Sequence, residues 1–169
     1  VAVGPARAAD TAGLRPIDSV DAGGVVVRHY RRPPGGVTAD LVDLLASARS
    51  TGALPTRELA EVGFAPHRCL LISPPAGAPV RITFPAVALG GELVGYVGIA
   101  DVFTRRDDRS PGELDVELGG RVIAHARFGV DDGWVRFAAP TAPGPADVVV
   151  VVRAARARRN VCFAAEARR

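Results

Sequence analysis

Short runs of alternating or continuous apolar residues, separated by turns rich in glycine and proline, fill the chain after residue 66. Because successive side chains of a strand point to opposite faces, such runs predict the strands of a sheet. Eight segments fit: 68–73, 80–84, 92–103, 113–118, 122–128, 134–138, 146–154 and 160–167. No helix-length segment interrupts them, which predicts an antiparallel sandwich or barrel and argues against a parallel α/β sheet.

The strands on either side of Gly119 and Gly120 predict a hairpin. A two-residue glycine turn would place the apolar side chains of the two strands on opposite faces of the sheet. A three-residue loop that pairs Leu118 with Val122 unites them, because side chains alternate with a period of two. The pattern therefore predicts the three-residue loop and places Asp115 opposite His125 on the outer face.

The first 66 residues follow a different pattern. Residues 1–24 are rich in Ala, Gly and Asp without periodicity, which predicts a linker or disordered arm. Residues 25–30 predict a short strand. Apolar residues at 41, 44, 45 and 48 then form one stripe at helical spacing, with Thr38 as the N-cap, and predict a helix of about three turns.

Residues 148–152 are five consecutive valines. A strand with no alternation is expected to be covered on both faces. One face would meet the opposite sheet, and the predicted helix is the available cover for the other face. We therefore expect residues 25–66 to form a small helical addition that packs on a sandwich over residues 67–169.

Composition excludes some classes of function. All 21 basic residues are Arg, and the net charge is only +3. These arginines are dispersed among acidic residues and form no aromatic-studded basic face, so nucleic acid is not the expected partner. No apolar run approaches the roughly 18 residues of a membrane helix. The chain opens at Val1 without an initiator Met, so a signal peptide, a membrane anchor or a preceding domain could have been removed, or the chain could simply have been trimmed.

Three stretches carry a family resemblance: GIADVF at 98–103, GELDVELGGRVIA at 112–124 and DGWVRF at 132–137, followed by the valine strand. Their order resembles that in galactose-binding-domain-like jelly rolls, over residues 68–168. The resemblance implies an antiparallel jelly-roll β-sandwich that serves as a carbohydrate-binding or adhesion module on secreted or membrane-attached proteins. These motifs encode turns and core, so they transfer no ligand residues.

Cys69 and Cys162 are the only cysteines. In the implied jelly roll, the first and last strands are neighbours, so these two residues could form a disulfide. The alternative is a pair of buried free thiols. A disulfide would indicate an oxidising compartment. Two isolated cysteines lack the paired spacing of a zinc site, so no metal is expected there.

Catalytic signatures are missing from the sequence. His29, His67 and His125 stand in no known nucleophile or metalloprotease motif. His125 beside Asp115 could be an oriented base, but an exposed cross-strand pair explains the two residues equally well. A hydrolase is accordingly the least favoured class of function.

Two clusters of charged residues offer candidate ligand contacts. The loop at 104–112 is the most polar excursion between strands, and loops at the end of a sandwich often carry recognition. Acidic residues could hold a structural calcium ion, although no calcium-loop motif is present and ordinary solvated turns explain them as well. The arginines are Arg105, Arg106 and Arg109, and the acidic residues are Asp101, Asp107, Asp108, Asp131 and Asp132.

Trp134 is the only tryptophan. If Val135 and Phe137 face the core, Trp134 faces outward, where an indole can stack on the apolar face of a sugar. It could instead pack under the N-terminal helix or a neighbouring loop. We therefore predict a mainly β, non-catalytic, extracytoplasmic binding module, with carbohydrate as the candidate ligand. The contacts would be Arg105, Arg106, Arg109, Asp131, Asp132 and Trp134. The alternative is a structural or assembly domain that binds another protein.

Overall fold

A computed structural model describes residues 2–3, 15–23, 25–31, 36–100, 110–156 and 159–169. The chain divides into two units, Val1–Gly35 and Gly36–Arg169. In the first unit, strands β1 (Ala2–Val3), β2 (Arg15–Ala22) and β3 (Val25–Arg31) form an antiparallel sheet in the order β1-β3-β2.

Of the predicted linker or arm over residues 1–24, the structure describes only residues 2–3 and 15–23, and β2 lies within the second of these ranges. Strand pairing relies on backbone hydrogen bonds, which a segment without apolar periodicity can still make. The predicted strand at 25–30 is β3 and pairs with β2.

The second unit contains eleven described strands and one 3₁₀ helix, Asp43–Ser47. The strands are β4 (Val37–Asp40), β5 (Arg49–Ser50), β6 (Thr56–Val62), β7 (Ala65–Ile72), β8 (Val80–Leu89), β9 (Glu92–Ile99), β10 (Gly112–Leu118), β11 (Arg121–Phe128), β12 (Val135–Pro140), β13 (Gly144–Ala154) and β14 (Val161–Arg168). The last eight strands, β7 to β14, correspond to the eight segments predicted from the sequence.

These strands form two antiparallel sheets. The five-stranded sheet has the order β11-β10-β13-β8-β5, and the six-stranded sheet has the order β12-β9-β14-β7-β6 with β4 beside β14. From β7 onward the chain passes repeatedly from one sheet to the other. Apolar side chains of both sheets join one buried cluster, which includes Leu114, Val150, Phe84, Val97 and Phe163. The predicted β-sandwich is therefore confirmed.

The predicted three-turn helix is wrong. Residues 37–40 instead pair with the part of β14 that β7 leaves free. Leu41 donates its backbone N–H to Ala165 at 2.9 Å, and the Asp40 side chain accepts the Val42 N–H at 2.8 Å. A short helix is marginal alone, and here only the 3₁₀ helix Asp43–Ser47 remains between β4, which pairs with β14, and β5, which pairs with β8.

The segment 25–66 is consequently not a separate addition on the sandwich. β3 belongs to the first unit, whereas β4, β5 and β6 are strands of the two sheets. Leu41 and Val42 are both buried in the same apolar cluster as the valine strand.

The predicted helix does not cover the outer face of the valine strand; charged side chains on and beside this strand do. Val151 is fully buried and lies between Arg81 and Asp115 on the flanking strands. Arg81 forms a two-point ion pair with Glu117 at 3.0 and 2.5 Å, and Arg153 pairs with Asp115. The aliphatic stems of such arginines can cover an apolar surface while their charges stay in water.

The β10–β11 hairpin also differs from its prediction. Leu118 pairs with Arg121 across a two-residue turn, in which Gly119 and Gly120 have φ of 58° and 77°. Positive φ at both central positions is the geometry that favours glycine in tight hairpins. A β-bulge between Val116 and Glu117 then restores the register. The bulge, and not a longer loop, unites the apolar faces.

Cys69 on β7 and Cys162 on β14 form a disulfide with a Cα–Cα separation of 5.7 Å. Both residues are fully buried, and the alternative of two free thiols is wrong. The two strands pair antiparallel, as the predicted neighbourhood of first and last strands requires.

Candidate functional site

Trp134 lies immediately before β12, against the hairpin formed by β6 and β7. Its indole Nε1–H donates to the Ala65 carbonyl oxygen at 2.8 Å. The ring also contacts His67 edge-on, with the centroids 5.1 Å apart and the planes at 75°. Trp134 is half-buried. Of the two sequence interpretations, the structure favours packing against a neighbouring segment, with part of the ring still exposed.

The other predicted contacts do not gather around Trp134. Asp132 accepts a hydrogen bond from the Gly129 N–H at 2.7 Å and so stabilises the turn that precedes β12. Asp131 is exposed on the same turn. Three predicted contacts, Arg105, Arg106 and Arg109, lie outside the described residues.

Of the candidate calcium ligands, Asp131 and Asp132 lie on the turn before β12. Asp101, Asp107 and Asp108 lie outside the described residues. Within the part of the chain that the structure describes, no group of three or more His, Cys, Asp or Glu side chains is placed to hold a metal ion.

Tyr96 and His67 join Trp134 in an aromatic cluster that the sequence did not predict. Leu93, Val97 and Ile99 of β9 face the core, so the alternation of that strand turns Tyr96 to the outer face of the six-stranded sheet. The His67 ring lies 6.3 Å from the Tyr96 ring with the planes at 17°. The aromatic cluster, defined as His67, Tyr96 and Trp134, therefore comes from β7, β9 and the start of β12.

Close approach of the β6–β7 hairpin to β9 creates this cluster. At Gly98, a Cβ would lie 2.5 Å from Val62 Cγ1 and 2.9 Å from the Gly133 carbonyl oxygen. Glycine is therefore required where the hairpin crosses the outer face of β9. Val62 is buried by this contact, even though it lies on an edge strand.

Beyond the aromatic cluster, polar and apolar side chains of β9 and β12 line the outer face of the six-stranded sheet. Arg136 lies directly opposite Tyr96 and forms an ion pair with Glu92 at 3.5 Å. Both of these charged side chains are substantially exposed, at 54% and 44%. An open groove of about 370 Å³ adjoins them, lined by Gly91, Glu92, Ala138, Ala139 and Pro140.

Other ion pairs of the second unit involve residues of β14, β7 and β4. Arg168 pairs with Glu166 at 2.6 Å. Arg68 pairs with Asp40 at 2.6 Å and with Asp43 at 2.8 Å. Its hydrogen bond to Asp43 lowers the pKa of that carboxyl below the usual value. These side chains are held in short ion pairs, whereas the exposed His67 ring, the partly exposed Tyr96 and Trp134 rings and the longer Arg136–Glu92 pair are open to a ligand.

The outer face of the five-stranded sheet carries the predicted Asp115–His125 pair. The two residues lie opposite each other, with His125 Nδ1 2.7 Å from Asp115 Oδ1. Burial acts to raise the pKa of Asp115, but the contacts with His125 and Arg153 outweigh it and lower that pKa. The geometry is that of a cross-strand charge network, since His125 is exposed and Arg153 also occupies the carboxylate.

The sequence places His67 in no catalytic motif, and no motif singles out Tyr96 or Arg136. Alternation along β9 was the available signal, because it turns an aromatic residue toward solvent. The contact between His67 and Trp134 had no such signal, since 67 sequence positions separate the two residues.

No family model matches this chain. A search of curated proteins likewise gives no match. Among the described residues, no helix is long and apolar enough to cross a membrane.

Solved structures with similar folds include a CBM51 module from Clostridium perfringens GH95 in complex with methyl-galactose. It has a TM-score of 0.54 at 12% identity, and the match covers 76% of this chain and 98% of that chain. The M60 catalytic domain of Clostridium perfringens ZmpB with its two CBM51 domains gives a TM-score of 0.57 at 12% identity. That match covers 94% of this chain but only 20% of that longer protein.

A third structure is the K3 cleaved adhesin domain of Lys-gingipain from Porphyromonas gingivalis. Its TM-score is 0.51 at 12% identity, and the match covers 78% of this chain and 97% of that domain. At such identities the likeness establishes the fold alone. The chain has a β-sandwich fold similar to that of these carbohydrate-binding modules and of this adhesin domain.

Proposed function

We propose that this chain is a non-catalytic carbohydrate-binding module of an extracytoplasmic protein. The observation that carries the proposal is the aromatic cluster, which adjoins an exposed Arg–Glu pair and a groove on one sheet face. Aromatic rings bind the apolar face of a sugar ring, while a few charged groups orient its hydroxyls. A neighbouring fold, the CBM51 module, was solved with methyl-galactose bound, which supports a sugar as the first ligand class to test.

Within this proposal, Tyr96, His67 and the exposed part of Trp134 provide the apolar platform. Arg136 donates hydrogen bonds to sugar hydroxyls and Glu92 accepts them, which an ion pair as long as 3.5 Å leaves both groups able to do. Asp131, Asp132, Arg105, Arg106 and Arg109 stay predicted contacts from the loops.

The extracytoplasmic part of the proposal is supported by the buried Cys69–Cys162 disulfide. Structural disulfides persist in oxidising compartments and are rare in the cytosol. Thiol trapping of the native protein in its source cells, followed by mass measurement, tests this part. A fully alkylated, reduced pair would contradict it.

Protein assembly is the alternative. The exposed large apolar side chains of the described residues are Val37, Leu54, Leu59, Phe64 and Val122. They are spread over several elements, and single exposed apolar residues are ordinary on protein surfaces. The aromatic surface favours the carbohydrate interpretation over the alternative.

The test is a glycan array with the wild type, followed by calorimetric titration of the best ligand. Tyr96→Ala is expected to weaken binding by about tenfold or more, the effect of losing one stacked ring. His67→Ala and Arg136→Ala should each weaken it severalfold.

Matched controls lie on the opposite outer face. His125→Ala and Arg127→Ala remove an exposed His and an exposed Arg from the five-stranded sheet, and they should leave the affinity unchanged. A wild type that binds no glycan would overturn the proposal, as would equal losses in the two sets of variants.

A further inference from the structure

The tip of the β6–β7 hairpin has an unusual residue in a strained conformation. Val62 pairs with Ala65, so the turn consists of Gly63 and Phe64 alone. Their φ angles are 59° and 67°. A turn with positive φ at both central positions favours Asn-Gly, Asp-Gly or Gly-Gly. A bulky side chain in the left-handed region is an outlier.

Phe64 is also highly exposed. Its side chain is 81% accessible, the largest value among the exposed large apolar residues that the structure describes. Both the backbone strain and the exposure of an aromatic ring disfavour phenylalanine here on grounds of folding. Strained residues that persist in a structure are concentrated at ligand-binding and active sites, which motivates a functional hypothesis for Phe64.

The position of this tip supplies the second observation. Ala65, the next residue, accepts the indole hydrogen bond of Trp134. A Cβ at Gly63 would lie 3.0 Å from Gly133 Cα, so the backbone of the tip touches the segment that leads into Trp134. Phe64 therefore stands at the end of the aromatic cluster, one residue from its contact with Trp134.

We propose that Phe64 forms a second sugar subsite, so that the ligand is an oligosaccharide of at least two residues. This inference rests on the proposed carbohydrate function. One sugar ring would occupy the surface of Tyr96, Trp134 and Arg136, and the adjoining ring would pack on Phe64. A sugar ring packed on Phe64 would remove exposed apolar surface of the phenyl group from water.

The test uses the Phe64→Gly and Phe64→Asn variants, because both residues adopt positive φ readily. Their melting temperatures should equal or exceed that of the wild type, which separates a binding defect from a folding defect. Leu59→Thr is the matched control. Leu59 is an exposed apolar residue of the same hairpin at 76% accessibility. Ala60 pairs with His67, and alternation along β6 turns the neighbouring Leu59 to the opposite face of the sheet.

The probes are paired mono- and disaccharides: methyl-galactose with lactose, glucose with cellobiose, and GlcNAc with its β-linked dimer. In calorimetric titration, the Phe64 variants should bind the preferred disaccharide about tenfold more weakly and the monosaccharide as tightly as the wild type. The Leu59→Thr variant should match the wild type for both.

The other outcomes each exclude something definite. Unchanged disaccharide affinity in the Phe64 variants, while the wild type binds it, overturns the second subsite and leaves the proposed function intact. An equal loss for monosaccharide and disaccharide also overturns it, because Phe64 would then belong to the first subsite. A wild type that binds none of the probes, nor any glycan on the array, overturns the proposed function and this inference together.

Discussion

Removal of the Cys69–Cys162 disulfide should destabilise the sandwich substantially. The bond joins residues separated by 93 positions, nearly the whole length from β7 to β14. In the chain-entropy model, a cross-link over a loop of this length lowers the entropy of the unfolded chain enough to stabilise the fold by about 4.6 kcal/mol. Losing this stabilisation from a unit of this size would lower the melting temperature by roughly 15 °C.

The double variant Cys69→Ala/Cys162→Ala and the reduced wild type test this magnitude by urea unfolding. Reduced wild type keeps both sulfur atoms in the buried site. Its free energy of unfolding therefore differs from that of the double variant by the packing lost with the sulfurs. The difference between oxidised and reduced wild type measures the cross-link itself. A loss below about 1 kcal/mol on reduction would refute the reasoning, since it would mean that the unfolded chain is already restricted without the bond.

Two further predictions concern Asp115 and Gly98. Because contacts in the folded state lower the pKa of Asp115 below its usual value near 3.8, its contribution to stability is present above that pH and is lost as the pH falls further. Asp115→Asn should thus unfold at lower urea than the wild type at pH 7, with a difference that shrinks toward pH 3; a constant difference would contradict this. Gly98→Ala should cost about 1–3 kcal/mol and weaken sugar binding, because the added methyl group clashes with Val62 and the Gly133 carbonyl. Gly52→Ala, where a Cβ meets only Val80 at 3.7 Å, is the control and should change the free energy of unfolding far less.

The sequence determined the strands of the sandwich because each strand repeats one local rule. Alternation fixed which side chains of β10 and β11 face the core, including Leu114 and Phe128. The unbroken valine run correctly predicted a strand with burial on both faces, as at Val150 and Val151, although Val149 is only half-buried. Alternation also correctly placed Asp115 opposite His125, since a cross-strand pair follows from the positions of the apolar residues around it.

Details of the backbone required the tertiary structure. Both a longer loop and a bulge reconcile the apolar faces of the β10–β11 hairpin, and alternation alone cannot choose between them. The segment at 41–48 has a helical apolar stripe, but only the 3₁₀ helix Asp43–Ser47 forms there, because the residues before it pair with β14 and those after it pair with β8. Local propensity yields to such tertiary pairing.

The candidate site depended even more on the tertiary structure. Sequence reasoning named Trp134 and the outward direction of its ring, which the structure places half-buried beside His67. His67 on β7, Tyr96 on β9 and Trp134 just before β12 are distant in sequence, and no local pattern connects them. They meet because glycines at 63 and 98 let one hairpin lie across the face of the sheet and against the backbone of Gly133. The sequence alone thus determined which residues line each strand, since that depends on neighbours along the chain. Only the tertiary structure decided which residues share a site, because that depends on how closely separate strands can approach.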